Sequence, residues 1–453
     1  MAENERQTYR IRDPIHDLVA FDLQHASDRL AWEIINTAEY QRLRRIKQLG
    51  FSELIFPGAT HTRFAHCLGA FHIARQLLDI IRKKNCEFDR DKALIAAVAA
   101  LAHDIGHGPF SHVFEGVQRK LDSSQHHELW GAEIIRGDTQ AHERLHAYDQ
   151  SIAQEIALLL SRKEPRDIYD AVVSSQFDAD RLDYLLRDRY MTGTRMGGFD
   201  LAWLLDCLET GKINIGRDDE YVEVDGLYLS HKGLGAAEGY LLARFHLYSQ
   251  VYLHKTTRAA ERMLAAVLAR LALLVRNGDY QLVGVHREHA IVRFLEQQKP
   301  EIRPYLNLDD TSVWSALMEM SNAKDQQLRM LATRLRERRL YKCIDVGAQA
   351  RRVGGDALPR FRRRLQEELG HELDNRILTD EAKLTAYGVH DYEDPGAFQK
   401  VLIGRTDDPK KSLDIGEVSE VVRAIQPQRV FRVYCSDTDS LRAVEKLGKE
   451  VMH

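Results

Sequence analysis

Residues 94–115 read LIAAVAALAHDIGHGPFSHVFE, a stretch around which the rest of the chain is expected to be arranged. Its first nine residues are alanine, leucine, isoleucine and valine only, a helix with no polar face that has to be surrounded by protein. The helix ends in His103 and Asp104 side by side, followed by His107 one turn on, a Gly108-Pro109 break and His112. Polar groups delivered into an interior must pair with one another or bind a metal. Imidazole and carboxylate with no CxxC nearby suit Zn, Fe, Mn or Ni rather than a thiolate zinc site. The competing reading is a structural His/Asp network that caps the helix.

Outward from that helix, the composition is that of an ordinary globular protein, 44% hydrophobic and 29% charged. A net charge of -4 gives no overall attraction to nucleic acid and confines phosphate binding to local clusters. Cys67, Cys86, Cys207, Cys343 and Cys435 lack CxxC spacing and fit free thiols in a reducing compartment. With no apolar leader and no apolar run long enough to span a bilayer, the expected location is cytoplasmic, with no membrane partner.

Upstream, Asp13-Pro14 disfavours helix, so residues 9–24 are expected as short strands and turns. A helix pair follows, capped by Ser27 and Thr37 and stopped by Gly50. Arg42, Arg44, Arg45 and Lys47 on its second member read as a solvated face able to meet phosphate. FPGATHTRFAH at 56–66 leads into a helix with Leu68, Phe71, Leu77, Leu78 and Ile81 on one face and His66 near its start. Downstream, Ser123-Ser124 cap a helix with His126, His127 and Glu128 in its first turn. In SSQFDADRLDYLLRDRY, 174–190, helical spacing groups Asp180, Tyr184, Arg187 and Asp188, and spacing alone reads them as an exposed, salt-bridged surface. Residues 212–230 alternate like a hairpin around Asp218-Asp219, and helices resume over about 235–275 and 311–339. From 341 on, strand-like runs such as YKCIDVGA and RVFRVYCS alternate with turns and two helices. The expected architecture is mainly α: a helical core over 1–340, its histidine motifs within about 50–200, and a smaller mixed α/β lobe over 341–453.

DPIH at 13–16, QRLRRIKQLG at 41–50, FPGATHTRFAHCLG at 56–69, AHDIGHGPFSH at 102–112, DADRLDYLLRD at 178–188, YLHK at 252–255 and RVYC at 432–435 together resemble the HD-domain deoxynucleoside triphosphate triphosphohydrolases, and most of all the catalytic region of the SAM-and-HD-domain proteins. The resemblance covers nearly the whole chain and makes the core an HD-domain core. It implies a metal held by His66, His103, Asp104 and Asp180, the last reached through the resemblance alone. It implies acid/base work for His107, His112 and His127, with Glu115 and Glu128 as carboxylate partners; Glu115 stands where relatives carry Asp. Phosphate contacts map onto Arg63, His112, Arg181 and Arg244, Arg181 replacing a lysine with a group able to grip two oxygens. Sugar-facing positions map onto Gln48, Leu49, Tyr184, Asp188 and Tyr252. The family also implies a homo-oligomer, dimer or tetramer. Asn36 stands where gated relatives read an activating guanine with an acidic residue, while Arg44 matches a phosphate position of that site, so a looser nucleotide effector is the expectation.

The expected function is hydrolysis of a dNTP substrate to deoxynucleoside and inorganic triphosphate. The expected cofactor is a divalent transition metal, Fe, Mn, Zn or Ni, with Mg on the triphosphate as a candidate second ion. His112 is the expected acid for the leaving 5′-oxygen, imidazole being the side chain suited to proton transfer near neutral pH. Two alternatives stand beside it. A phosphodiesterase acting on single-stranded nucleic acid ends or cyclic nucleotides would call for a longer basic track than three arginines. A nucleotide-sensing or nucleic-acid-binding protein with an idle site would have lost part of the ligand and phosphate sets.

Overall fold

The computed structural model describes residues 7–85, 87–121, 125–162, 164–217, 220–373, 375–384, 387, 400–405, 412–426 and 428–452. The fold is mainly α, with a smaller strand-containing C-terminal region. Seven helices carry or frame the site: α1 (Arg63–Lys84), α2 (Arg90–Ala102), α3 (His112–Lys120), α4 (His127–Arg136), α5 (Ala179–Thr192), α6 (Leu234–Leu247) and α7 (Lys255–Arg276). Asp89 starts α2 by accepting from the backbone N–H of Asp91 and Lys92. Every residue from Ala96 to Ala102 is buried, because α1 and the helices Ile152–Ser161 and Ile168–Val173 all pack against α2. Alanine-rich walls let these neighbours close in, and the histidine motif at the end of α2 therefore stands in the middle of the core.

Among the described residues, nine strands form three small sheets. β1 (Thr8–Asp13) and β2 (Asp17–Asp22) are an antiparallel hairpin in which Asp13 pairs with Asp17. β3 (Leu208–Arg217) and β4 (Glu220–Leu229) pair as the expected hairpin, whose Asp218-Asp219 turn lies outside the described residues. β5 (Lys342–Asp345), β6 (Ile377–Leu384) and β9 (Gln428–Cys435) make an antiparallel sheet in the order β5-β9-β6. β7 (Leu402–Gly404) returns to lie parallel to β4, and β8 (Ser412–Asp414) extends that sheet. Val401, Ile403, Ile415 and Val422 accordingly share one core with α1 and α2. A second core joins α3 and α7 to the helices Asp310–Met320 and Gln326–Arg336, and a third lies inside the C-terminal region around Val346, Phe361 and Val433. Among the described residues no helix is long and apolar enough to cross a membrane.

Several local expectations are corrected. The first helix begins at Ala26, so Ser27 lies inside its first turn and provides no cap; Thr37 does cap the second, accepting from Tyr40 N–H. That second helix ends at Arg42 and tightens to 3₁₀ geometry through Arg45. Gly50, at φ +48°, thus serves the next turn rather than a helix end. The helices expected over about 235–275 are α6 and α7, and a π segment not expected, Tyr248–Tyr252, lies between them before His254 caps α7. The helical run expected over 311–339 consists of Asp310–Met320 and Gln326–Arg336, with Asp325 capping the second. The C-terminal region holds Val346–Val353, Ala357–Leu369 and Thr438–Met452 besides two one-turn helices, more than the two expected. Ser123 and Ser124 lie outside the described residues. Arg42, read as part of a solvated face, is buried and donates to three carbonyls, those of Leu308 (2.9 Å), Ile105 (3.0 Å) and His107 (2.8 Å). It holds the turn of the histidine motif in place, a role that its neighbours Arg44 and Arg45 do not share.

Candidate metal centre and nucleotide cavity

α1 delivers His66, the end of α2 delivers His103 and Asp104, and the first turn of α5 delivers Asp180. His66 Nε2 lies 3.1 Å from His103 Nε2 and 2.9 Å from Asp180 Oδ1, and 3.9 Å from Asp104 Oδ2. His103 Nε2 lies 3.4 Å from Asp104 Oδ1 and 3.5 Å from Asp180 Oδ1. Ligand atoms held at about 2.1 Å on one divalent ion stand roughly 3.0–3.4 Å apart, so His66, His103 and Asp180 stand close to the spacing of a coordination shell, with Asp104 beside them, 3.4 Å from His103 and 3.9 Å from His66.

The outer nitrogens support the same conclusion. His66 Nδ1 faces Asp183 Oδ2 at 2.7 Å and His103 Nδ1 faces the Ala100 carbonyl at 2.8 Å. Both acceptors call for N–H on Nδ1, which leaves a lone pair on each Nε2. Two lone pairs at 3.1 Å beside carboxylates require a cation. Without a metal the charge falls on His66, where burial lowers the pKa but hydrogen bonds to Asp180 and Asp183 more than offset it and raise it to about 10. Asp180, although burial raises it, is held below the usual carboxylate range by His103 and His66. The donors thus fit a divalent metal, the borderline kind that imidazole and carboxylate bind together.

Arg63 and His107 flank this quartet. Asp104, pushed up by burial, is held well below the carboxylate range by Arg63 and then His103 and His107; it accepts from Arg63 Nη1 and lies 3.1 Å from His107 Nε2. Ser111 Oγ accepts from Arg63 Nε (3.0 Å) and Nη2 (2.7 Å). A strained turn aims it there, Phe110 and Ser111 having φ of 50° and 44°, a conformation that non-glycine residues rarely keep without support. Asp310 supplies that support, accepting from the backbone N–H of Phe110 (2.8 Å) and of Lys47 (2.9 Å). His107 is held neutral, its pKa pushed well below the ordinary value by burial and then by Arg63 and His127. Its ring stacks on His127, centroids 3.9 Å apart. Glu115 faces His127 Nδ1 at 2.5 Å and His112 Nδ1 at 3.5 Å; burial raises its pKa, but His112 and His127 lower it well below the usual range. His112 is exposed toward the cavity, while Glu128 sits at the rim, half-exposed, 3.4 Å from His126.

A cavity of about 570 Å³ opens beside the quartet. Arg63, Arg181, Arg244, Tyr184, Asp188 and Tyr252 line it together with Gln48 and Leu49, so the structure brings the sequence-expected set to one space. Arg181 donates to Asp178 Oδ2 (2.6 Å), and Arg244 donates to Gln176 Oε1 (3.0 Å). Tyr252, placed by the π segment, donates to Asp188 Oδ2 (2.6 Å); His61 Nε2 lies 2.7 Å from the other oxygen. Asp188 and Arg187 are buried, which corrects the exposed-surface reading of that helix face. Arg258, Glu261 and Lys383 also line the cavity, and the sequence reading missed all three. It missed Asp183, Ser111 and Asp310 as well; the i, i+4 pair Asp183–Arg187 was a signal for the first. Asn36 and Arg44 are exposed away from this space, Asn36 donating to the Trp32 carbonyl and Arg44 lying 3.5 Å above the Phe64 ring.

Residues 63–185 match the HD domain model, and residues 220–283 match the HD associated region. Uncharacterized protein YwfO of Bacillus subtilis is 36% identical over 336 residues, 74% of this chain and 71% of that protein. The chain belongs to the HD-domain phosphohydrolase family. The deoxynucleoside triphosphate triphosphohydrolase SAMHD1 homolog of Dictyostelium discoideum is 27% identical over 444 residues, 93% of this chain and 77% of that protein. The crystal structure of a phosphohydrolase from Bacteroides thetaiotaomicron superposes with a TM-score of 0.73 at 27% identity, covering 95% of this chain and all of that one. This HD phosphohydrolase is thus a dNTPase-like member of a metal-dependent family, and its His/Asp groups are able to hold the metal.

Proposed function

We propose that this HD phosphohydrolase cleaves a deoxynucleoside triphosphate to deoxynucleoside and inorganic triphosphate. The observation that carries the reading is that Arg63, Arg181 and Arg244 line the same cavity as His103, Asp104 and Asp180, with His66 buried behind them 2.9 Å from Asp180. Its volume falls within the roughly 300–1,000 Å³ of small-molecule sites, and the likeness to triphosphohydrolases over most of the chain supports the substrate class. In the reaction a water oxygen bonds to the α-phosphorus, the bond from that phosphorus to O5′ breaks, and O5′ takes a proton. A divalent ion held by the quartet would supply Lewis-acid charge and an acidified water. Arg63, Arg181 and Arg244 offset the triphosphate charge as it redistributes in the transition state. His112 faces the cavity and delivers the proton to O5′, while ionised Glu115 orients His112 and His127. Neutral His107 anchors Asp104. Tyr184 and Asp188 face the sugar, and Tyr252, fixed by Asp188, closes the space beside Leu49.

The test is to incubate purified protein and Mn²⁺ with dNTPs, rNTPs and single-stranded DNA and to resolve the products by chromatography. Deoxynucleoside and triphosphate from the dNTPs are expected. Degradation of DNA with free dNTPs untouched would overturn the reading in favour of a phosphodiesterase.

A further inference from the structure

The turn Asp13–His16 belongs to a motif that the reaction above does not use, yet its side chains reach the back of the metal quartet. Asp183, on α5 one turn beyond Asp180, is fully buried. Its carboxylate faces His66 Nδ1 (2.7 Å) and His16 Nε2 (2.6 Å) and accepts from Arg187 Nε (2.8 Å) and Nη2 (2.9 Å). Arg187, also fully buried, turns its outer edge to Asp13, with Nη1 2.8 Å from Oδ2 and Nη2 3.3 Å from Oδ1. Asp13 Oδ1 closes the turn by accepting from the backbone N–H of Ile15 and His16, both at 2.9 Å. An unbroken path of hydrogen bonds therefore runs from the tip of the β1–β2 hairpin to the ring nitrogen of His66 opposite the one that faces His103 and Asp180. Space is made for it: a Cβ on Gly69 would fall 1.8 Å from Asp183 Oδ1 and 2.4 Å from Arg187 Nη2.

We infer that the β1–β2 hairpin is a working part of the metal centre. His16, and Asp13 through Arg187, fix the carboxylate of Asp183, and Asp183 fixes the ring of His66 with its Nε2 lone pair toward the ion. The inference rests on His66 being a metal ligand. All four are positioning residues. A network that merely fastened the hairpin to the core would be interchangeable with its other fastenings, such as Tyr9 stacked on Trp32 at 4.4 Å at the far end of the hairpin. A network that orients His66 would not.

The discriminating experiment is calorimetric titration of the full chain with Mn²⁺, alongside thermal melting. His16→Ala and Asp13→Asn are expected to weaken Mn²⁺ binding about 10–100-fold, the usual effect of losing an outer partner of a ligand, while Tyr9→Ala lowers the melting temperature and leaves affinity within about twofold. His16→Gln, whose amide can still donate to Asp183, should recover most of the loss, and Asp13→Asn carries the test by itself should His16→Ala not fold. Unchanged Mn²⁺ affinity in both His16→Ala and Asp13→Asn would overturn the inference alone, as would an equal loss in Tyr9→Ala. Wild-type protein that takes up no Mn²⁺ would overturn the metal reading and this inference with it.

Discussion

His66 and His103 meet nitrogen to nitrogen at 3.1 Å, a contact that is stable only with positive charge between the rings or on one of them. Replacing His103 or Asp104 by alanine is therefore expected to abolish hydrolysis and to remove most of the bound metal. Metal analysis of the purified variants checks this, and full occupancy without Asp104 would defeat its assignment as a ligand. His112→Ala is expected to keep its metal and to slow turnover by about two to four orders of magnitude; an unchanged rate would give proton delivery to His127 instead. His72 makes a prediction about stability. Burial, and then His16 and Arg75, push its pKa down from 6.5 to about 4. Above pH 6.5 both folded and unfolded chains hold it neutral, so it contributes no pH dependence. Between about 6.5 and 4 the unfolded chain binds a proton that the folded chain refuses, so stability falls as pH falls. Melting curves across that range should show the loss in wild type and a smaller one in His72→Gln; equal slopes would contradict it. At this scale the sequence was legible where chemistry is rare: three histidines and an aspartate in ten residues announce themselves. Asp180 and Arg42 did not, because a carboxylate on a charged helix and an arginine among arginines look like surface until the fold buries them.

The elements explain why the motif's glycines are glycines. A Cβ on Gly106 would fall 2.1 Å from the His127 carbonyl and 2.2 Å from Gly131 N, both backbone atoms of α4 that cannot swing aside. Gly106→Ala is expected to push α4 away from the end of α2, costing about 1–3 kcal/mol or more and disturbing the His107–His127 stack. Arg42→Met should cost at least about 3 kcal/mol, since it strands buried carbonyls at roughly 1–3 kcal/mol each. Denaturant melts measure both, and a midpoint equal to wild type in either would show that the turn needs no such support. Helix identities followed from apolar periodicity, as in α1, but the breaks did not. The π segment at Tyr248–Tyr252 contains neither proline nor glycine, and its place is set by tertiary contacts such as Tyr252 on Asp188.

For the molecule as a whole, the mainly helical core and the smaller C-terminal region were legible, whereas the return of Val401, Ile403, Ile415 and Val422 to the first core was not. Short strands such as Leu402–Gly404 carry too little pattern to show their partners. Leu49 and Tyr252 both line the cavity, and the proposed placement of the sugar against them predicts selection for the 2′-deoxy sugar, an unpaired 2′-hydroxyl costing roughly 1–3 kcal/mol; equal rates on dATP and ATP would refute it. A homo-oligomer is expected, with weak response to GTP, because Asn36 cannot offer a guanine edge the charged double acceptor that a carboxylate provides. Light scattering with and without GTP tests both parts: a strict monomer contradicts the first, and GTP-driven assembly with activation contradicts the second. The proposed function stands on attack at the α-phosphorus with departure of O5′. Phosphorus NMR of dGTP turnover in water enriched in ¹⁸O, with Mn²⁺ removed by chelation before acquisition and the released nucleoside weighed by mass spectrometry, tests it most directly. Inorganic triphosphate carrying the ¹⁸O beside unlabelled deoxyguanosine is expected; pyrophosphate with a monophosphate, single phosphate release, or label in the nucleoside would contradict this cleavage.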